Sequence, residues 1–271
     1  MGVKSIIKQK LTKTVIRNTE TVISEGSYLQ GKVALILGGS GGIGGGISDA
    51  FIANGCKVII SGTNEKKMTE MCDQYGEAAK YVPINLCDVR LIKSGVAEAI
   101  SKFGRIDILV HAAGTHGNEP FGIVSEKTYD TVMDLNLKSV FFSCQEVSNY
   151  MIENNIHGHI LIVSSASSAK PAWTPYEISK WGVRGFTLGL ADTLIQYGIV
   201  VNAIAPGPVA TKMIKKENTD DLSMPVNPTR RMATINEVAN LAVFMCSSAG
   251  DMIVGDTYFI SGGSGTIKMH N

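Results

Sequence analysis

Short apolar runs alternate with stretches of helical spacing from Gly31 onward, and this alternation constrains the fold more than any other feature of the chain. The runs are residues 32–37, 58–60, 81–84, 106–110, 160–163, 199–202 and 257–260, and helical spacing recurs in residues 95–103, 129–154 and 176–197. Apolar strands separated by helices are typical of a parallel sheet that is covered on both faces. No linker or internal repeat interrupts the series. It therefore predicts one doubly wound α/β domain over residues 31–271.

A glycine cluster follows the first apolar run, with Gly38, Gly42 and Gly44 in the spacing Gly-x-x-x-Gly-x-Gly. Glycine lets the backbone turn tightly and approach a pyrophosphate, whose charge is met by amide groups at the next helix N-terminus. The cluster lacks a Gly-Lys-Ser/Thr ending, which argues against a nucleotide-hydrolysing phosphate loop. A flexible turn is the alternative, but a strand precedes the cluster and a helix follows it. The loop predicts a dinucleotide site.

The end of the second run bears on the choice of cofactor. An acidic side chain there binds the ribose hydroxyls of NAD(H), whereas a basic one accommodates the 2′-phosphate of NADP(H). Residues 61–64 read Ser-Gly-Thr-Asn, without an acid, and Lys66 and Lys67 follow. Thr63 and Asn64 are able to donate hydrogen bonds to a phosphate. The segment favours NADP(H) over NAD(H), with exposed helix lysines as the alternative reading of Lys66 and Lys67.

Two further strand ends predict cofactor contacts. Asp88 and Val89 follow the third run, where Asp88 is expected to hold the adenine edge. A helix N-cap is its alternative role, and one residue is able to fill both. Ala112, Ala113 and Gly114 follow the fourth run, and their small side chains let the backbone lie against a cofactor.

Tyr176 and Lys180 are four residues apart, which is about one helical turn, so their side chains project from one helix face. An ammonium group beside a phenol favours the phenolate, so Lys180 is expected to lower the pKa of Tyr176 and to help proton exchange near neutral pH. The pair predicts an acid–base site downstream of the dinucleotide loop.

Composition excludes several classes of protein. Hydrophobic residues make up 44% and charged residues 18%, with a net charge of +1 and no basic stripe, so nucleic acid is not an expected partner. The five cysteines are odd in number and never in Cys-x-x-Cys spacing, which argues against a disulfide framework or a metal site and favours a cytoplasmic location. No run approaches the length of a membrane span.

Residues 1–30 differ from the rest, because lysines alternate with apolar residues as in a basic amphipathic helix. This arm is expected to cover part of the body or a neighbouring subunit, and membrane contact is the less favoured alternative. It lacks the apolar core and cleavage site of a secretory signal.

The motifs that carry a family resemblance are, in order, Gly38-x-x-x-Gly42-Ile43-Gly44, Asp88, Ala112-Ala113-Gly114, Asn136, Ser165, Tyr176-x-x-Ser179-Lys180 and Asn202-x-x-x-Pro206-Gly207. With them, residues 31–264 resemble the classical short-chain dehydrogenase/reductase family. The resemblance implies a seven-stranded Rossmann sheet. It also implies hydride transfer between a nicotinamide cofactor and a carbonyl or secondary alcohol, as in 3-oxoacyl thioester reductases and sugar, polyol or steroid dehydrogenases. A nucleotide-sensing binding protein without catalysis is the alternative.

The resemblance also implies a catalytic group of Asn136, Ser165, Tyr176 and Lys180. Tyr176 would exchange the proton, Ser165 would stabilise charge on the substrate oxygen, Lys180 would also hold the nicotinamide ribose, and Asn136 would anchor a water. Ser165 precedes Tyr176 by fewer residues than is usual in the family, so Ser164 remains the alternative serine.

The remaining implied contacts concern the cofactor, the substrate and assembly. The expected cofactor-binding residues are Gly38, Ser40, Gly41, Gly42, Ile43, Gly44, Gly62, Thr63, Asn64, Asp88, Val89, Ala112, Ala113, Gly114, Tyr176, Lys180, Pro206, Gly207, Val209 and Thr211. Residues 212–231 are expected to form a substrate lid, with apolar contacts from Met213, Ile214 and Met224 and with Trp173 as a nearby pocket wall. The charged residues of this segment either attract an anionic substrate or form a solvated face; they are Lys215, Lys216, Arg230 and Arg231. Residues 129–154 and 176–197 are expected to pair across a two-fold axis in a homodimer or homotetramer.

Overall fold

The computed structural model describes residues 26–211 and 221–268. Its centre is a seven-stranded parallel sheet with the strand order β3-β2-β1-β4-β5-β6-β7. The strands are β1 (Val33–Leu37), β2 (Lys57–Gly62), β3 (Ala79–Pro83), β4 (Ile108–His111), β5 (His159–Val163), β6 (Val200–Pro206) and β7 (Thr257–Ile260). The predicted doubly wound α/β class with seven parallel strands is confirmed.

Seven α-helices are found in the described part of the chain and cover both faces of the sheet. They are α1 (Gly42–Ala53), α2 (Glu65–Tyr75), α3 (Val89–Phe103), α4 (Glu126–Met133), α5 (Ser139–Glu153), α6 (Pro175–Leu194) and α7 (Ile235–Met245). Helices α1, α2 and α7 pack on one face of the sheet, and α3, α5 and α6 pack on the other. Polar caps begin several of them, such as the capping boxes of Thr174 with Glu177 at α6 and of Thr234 with Glu237 at α7.

The central strands are apolar at every position because each face of the sheet is buried. In β1, Leu35 and Leu37 face the cluster that contains α5 and α6, while Ala34 and Ile36 face the cluster that contains α1 and α7. This two-sided burial explains why these runs are continuously apolar rather than alternating.

The strand order reverses between β1 and β4, whose neighbours on the other side are β2 and β5. At such a switch point the loops after the strands diverge to opposite faces and leave a crevice at the carboxyl edge of the sheet. The fold therefore places residues 38–41, 112–118 and 164–174 around one edge.

Two helical regions differ from the sequence expectation. The predicted helix over residues 129–154 is three segments, because a π-helix over Asp134–Lys138 separates α4 from α5. Helix α7 follows the predicted lid and was not predicted from the sequence. Among the described residues, no helix has the combined length and apolar character that a membrane span needs.

Several expectations lie outside the described residues. They concern most of the amphipathic arm, of which only residues 26–30 are described, and the predicted lid contacts Met213, Ile214, Lys215 and Lys216.

Candidate active site

The glycine loop after β1 is shaped by close backbone contacts. Gly38 has φ of +78°, and a Cβ added there would lie 2.6 Å from the backbone nitrogen of Ala113. A Cβ on Gly44 would collide with the carbonyl oxygen of Gly38, and one on Gly42 would lie 2.9 Å from the Thr211 side chain. Only glycine fits at these positions, so the loop turns directly into α1.

The N-terminus of α1 is open to an anion. Its N-cap residue, Gly41, provides no side-chain hydrogen bond, and the first turn contains no acidic residue. The first amide groups of the helix, with the positive end of its dipole, therefore remain available for a phosphate.

A cleft of about 360 Å³ lies in front of this loop. The predicted cofactor residues that line it are Gly38, Ser40, Gly41, Gly42, Ile43, Gly44, Gly62, Thr63, Ala112, Ala113, Gly114 and Thr211. Residues that the sequence reasoning missed complete its wall, namely Ile84, Asn85, Leu86, Cys87 and Leu135. Small residues and main chain form most of the surface, which suits a flat nucleotide.

Asp88 and Val89 are not among the residues that line this cleft, and the N-cap role that the sequence allowed for Asp88 is present. Asp88 is the N-cap of α3, where it accepts a hydrogen bond from the backbone of Arg90 and pairs with its guanidinium at 2.7 Å. This pairing lowers the pKa of the Asp88 carboxyl. The cleft wall after β3 is formed by residues 84–87 instead, because they come directly after the strand end. That proximity to the strand was the signal available in the sequence.

No charged side chain at the end of β2 lines the part of the cleft where the ribose is expected. Asn64 caps α2 by accepting from the backbone of Lys67 and does not line the cleft. Lys66 is exposed and lies 4.0 Å from Glu70, and neither lysine lines the cleft. Within the described residues, every side chain on this cleft is uncharged.

Ser165 and Tyr176 meet at the next part of the edge. Burial raises the pKa of Tyr176, and a hydrogen bond from Ser165 opposes that rise. The Ser165 hydroxyl also accepts from the backbone of Ser167 at 3.1 Å, which holds it in place. Ser164 is buried instead, with its hydroxyl 3.4 Å from the carbonyl oxygen of Lys180. The geometry favours Ser165 over Ser164 as the partner of Tyr176.

Lys180 is buried one helical turn beyond Tyr176. Its Nζ donates to the carbonyl oxygen of Val163 at 3.0 Å and lies 5.8 Å from the centre of the Tyr176 ring. Burial lowers the pKa of Lys180 to about 8. The expected lowering of the Tyr176 pKa by Lys180 is not seen, because burial of the phenol is the dominant effect and the ammonium is directed to Val163.

Asn136 lies in the π-helix between α4 and α5 and is fully buried. Its side chain accepts from the backbone nitrogen of Thr115 at 2.8 Å and donates to the Thr115 carbonyl at 2.9 Å. A Cβ on Gly114 would lie 3.4 Å from Asn136 Oδ1 and 3.7 Å from Lys180 Nζ. The π-helix therefore directs the side-chain amide of Asn136 toward the backbone of residues 114–115, which Lys180 also approaches.

A second cleft of about 410 Å³ continues from the first, with Ile43 and Thr211 on the walls of both. Predicted residues on it are Ser164, Ser165, Tyr176, Pro206, Gly207, Val209 and Thr211. The sequence reasoning missed His116, Asn118, Ala166, Lys170 and Ser264, which line it from three loops, and Ser167 and Pro208 also lie on its wall. The His116 ring lies 4.6 Å from the Tyr176 ring between centroids.

Several predicted pocket residues are not on this cleft. Trp173 is 55% exposed and is not part of the wall. Arg231 is paired with Glu237 at 2.6 Å, since the carboxylate of α7 lies beside it. Met224 and Arg230 also lie off the cleft lining. The predicted contributions of these four residues are therefore not supported by their positions.

The family model described as short chain dehydrogenase matches residues 32–222. The chain belongs to the short-chain dehydrogenase family. It is 35% identical to the galactitol 2-dehydrogenase of Agrobacterium fabrum over 87% of this chain and 98% of that protein. The family also accounts for the glycine loop and for the strand order.

Two solved structures of the family superpose well. A gluconate 5-dehydrogenase from Burkholderia cenocepacia, in complex with NADP and tartrate, gives a TM-score of 0.82 at 28% identity and covers 89% of this chain and 97% of its own. A 3-ketoacyl-(acyl-carrier-protein) reductase from Brucella melitensis, complexed with NADH, gives 0.81 at 28% identity and covers 88% and 100%.

The chain is an oxidoreductase that transfers a hydride between a nicotinamide cofactor and a carbonyl or secondary alcohol. The alternative of a nucleotide-sensing binding protein is not supported by these relatives.

Proposed function

We propose that Tyr176, Ser165, Lys180 and Asn136 form the catalytic group of a dehydrogenase that interconverts a secondary alcohol and a ketone. The observation that supports this most directly is the convergence of Ser165 and Tyr176 on the wall of the second cleft, next to Ile43 and Thr211, which also line the cofactor cleft. A substrate in the second cleft would therefore lie beside the end of a bound dinucleotide.

The residues fit a nicotinamide dinucleotide. Its pyrophosphate would lie against Gly41 and the first turn of α1, and Pro206, Gly207 and Val209 would lie beside the nicotinamide. When bound, the cofactor supplies or accepts the hydride.

The phenol of Tyr176 would give its proton to the substrate oxygen in reduction and take it back in oxidation. Ser165 would donate a hydrogen bond to the same oxygen, where negative charge develops, from a position held by the Ser167 amide. Because burial raises the pKa of Tyr176, the phenol stays protonated at neutral pH, which suits a proton donor.

Lys180 and Asn136 would help to return a proton from solvent to Tyr176. Burial brings the pKa of Lys180 to about 8, so its ammonium exchanges protons more readily than an exposed lysine. Asn136 fixes the Thr115 backbone through both its amide nitrogen and its amide oxygen, and it would anchor a water beside Lys180.

For the cofactor, we propose a preference for NADP(H) over NAD(H). The support is the absence of a carboxylate on the described cofactor cleft, together with the hydroxyl groups of Ser40 and Thr63 on its wall. A carboxylate at the end of β2 would repel a 2′-phosphate, and none is present there.

The activity is tested by following nicotinamide absorbance with both cofactors and a panel of secondary alcohols and ketones. We expect turnover with at least one pair and loss of it in Tyr176→Phe. Tight cofactor binding without turnover of any pair, by the purified full chain, would refute the proposal.

The cofactor preference is tested at Gly62. A Cβ there would lie 2.7 Å from Ser40 Oγ, so Gly62→Asp is made together with Ser40→Ala and compared with Ser40→Ala alone. A carboxylate at this place should move the ratio of kcat/KM toward NAD(H) by about tenfold or more. An unchanged ratio would show that the ribose lies elsewhere.

We also propose that the protein is a homo-oligomer, a tetramer or a dimer, that uses α5 and α6. Phe141, Ile178, Trp181 and Leu188 are exposed on these helices, and apolar patches of this kind mark protein interfaces. Light scattering should give an oligomer for the full chain and for a variant without residues 1–28. An active monomer at micromolar concentration would contradict it.

A further inference from the structure

The second cleft contains one permanently charged side chain among the residues that the structure describes. Lys170 lines it together with Ser165, Ser167, Tyr176 and Ser264, and no carboxylate does. Lys170 lies at the end of the short helical turn after β5, which the catalytic serine begins. A cation therefore shares a wall with the groups that are proposed to handle the substrate oxygen.

Lys170 is held in this position by three contacts. Its Nζ donates to Ser264 Oγ at 3.1 Å, and its backbone oxygen accepts from Trp181 Nε1 at 2.7 Å. Its stem lies along Gly265, where an added Cβ would be 2.8 Å from Lys170 Cε and where φ is +85°. The ammonium is thus held in one position by Ser264 and Gly265 of the segment after β7.

No acidic side chain in the described ranges comes within ion-pair distance of Lys170. Two other charged groups near the site have partners of their own: Arg231 is bound to Glu237, and Lys180 donates to Val163. A neutral ligand that filled the cleft would displace water from the Lys170 ammonium without replacing its counter-charge, which is unfavourable. An anionic group on the ligand would supply that charge.

We propose that Lys170 binds the carboxylate of the substrate, with Ser264 as its positioning partner, and that the enzyme acts on hydroxy acids and oxo acids in preference to neutral polyols. The inference rests on the proposed function, since it assigns the substrate class to the same cleft. A carboxylate suits one ammonium and a neighbouring hydroxyl, because charge-assisted hydrogen bonds to both oxygens are then available.

The experiment compares acids with neutral polyols of the same carbon skeleton. Gluconate is paired with glucitol and tartrate with threitol, each with the oxidised cofactor, and a 3-oxoacyl thioester without a charged carrier is included as a neutral substrate in the reduction direction. We expect the acids to exceed their partners by about tenfold or more in kcat/KM. A preference for glucitol, threitol or the thioester, without competition by gluconate or tartrate, would overturn the inference.

The lysine itself is tested with Lys170→Met, which keeps the stem and removes the charge. We expect a loss on the order of 10- to 100-fold for gluconate and little change for glucitol. The matched control is Lys93→Met, an exposed lysine on α3 away from the cleft, which should leave both substrates unchanged. Equal losses for acid and neutral substrates in Lys170→Met would mean that the residue only ties two loops together.

A binding measurement separates this inference from the proposed activity. Calorimetry with tartrate and the cofactor-loaded protein should show weaker binding in Lys170→Met and, to a smaller extent, in Ser264→Ala, which leaves the charge in place. If no substrate is turned over but tartrate binding still depends on Lys170, the proposed activity fails and the anion site stands. If turnover is present and tartrate binds equally to all variants, the anion site fails alone.

Discussion

The two halves of the cleft are built in different ways. The cofactor half is lined by main chain, glycines and small residues, and no charged side chain of the described chain reaches it. The substrate half is lined by functional side chains, such as His116, Lys170 and Tyr176, that come from separate loops and a helix. In the proposed function, one half would recognise the cofactor through backbone geometry, and the other would recognise the substrate through side chains.

This difference determines what a substitution does in each half. In the cofactor half an added methyl group collides with closely packed backbone, as a Cβ on Gly44 does with the Gly38 carbonyl. Cofactor binding there should therefore be sensitive to small changes in side-chain size. In the substrate half, the removal of one polar group leaves the frame intact and alters chemistry or specificity. The predictions below test whether the two halves separate in this way.

The largest expected effect is that of Tyr176→Phe. In the proposed mechanism the phenol transfers a proton only during the reaction, so its loss should lower kcat by about 10²- to 10⁴-fold and leave the cofactor dissociation constant within about twofold. Single-turnover kinetics and a cofactor titration measure the two quantities. Retention of more than about a tenth of the activity would rule out Tyr176 as the proton donor.

Gly44→Ala should have the next largest effect, and it should fall on cofactor binding. Its Cβ would collide with the Gly38 carbonyl, so the loop must shift, and we expect the cofactor dissociation constant to rise by about tenfold to 100-fold. The matched control is Gly45→Ala on the same helix, whose Cβ would meet its nearest atom at 3.7 Å. Similar affinity in the two variants would show that the loop accommodates the methyl group.

The sequence predicted the cofactor half better than the substrate half, and the contrast above explains why. Gly38, Gly42 and Gly44 occur where the backbone packs too closely for a side chain. Their spacing is therefore visible in the sequence, and it predicted most of the residues that line that cleft. For Asp88 the sequence allowed an N-cap role and a cofactor contact; the N-cap is present, and the cofactor contact stays a prediction.

The substrate half depends on loops that meet only in three dimensions. Lys170 and Ser264 are far apart in the chain, and no local pattern links them before the C-terminal segment packs against the turn after β5. The π-helix that carries Asn136 was equally hidden, since its residues continue the helical spacing of their neighbours. The parallel sheet, in contrast, could be predicted, because each apolar run is visible in the local sequence without knowledge of its neighbours in the fold.

The buried ammonium of Lys180, between the two halves, predicts a pH effect on stability. Its pKa in the folded protein is about 8, below the value of about 10.4 for an exposed lysine, so the unfolded chain binds more protons between these values. The free energy of unfolding of the wild type should therefore rise from pH 8 to about 10.4, relative to Lys180→Met, by roughly 1–3 kcal/mol. Denaturant titrations at several pH values measure the difference between the two proteins. A difference that stays constant or falls with pH would mean that the ammonium is not desolvated.

The smallest expected effect belongs to His116, which contacts Tyr176 from the loop after β4. The two ring centroids are 4.6 Å apart with a tilt of 45°, and such ring contacts contribute about 0.5–1.5 kcal/mol. His116→Ala should therefore lower kcat/KM by about threefold to tenfold and leave cofactor affinity unchanged, because the residue lines only the substrate half. His116→Phe is the matched control, since it keeps the ring contact and should retain most of the activity. An equal loss in both variants would assign the effect to the imidazole nitrogens rather than to ring packing, and a change in cofactor affinity would contradict the separation of the two halves.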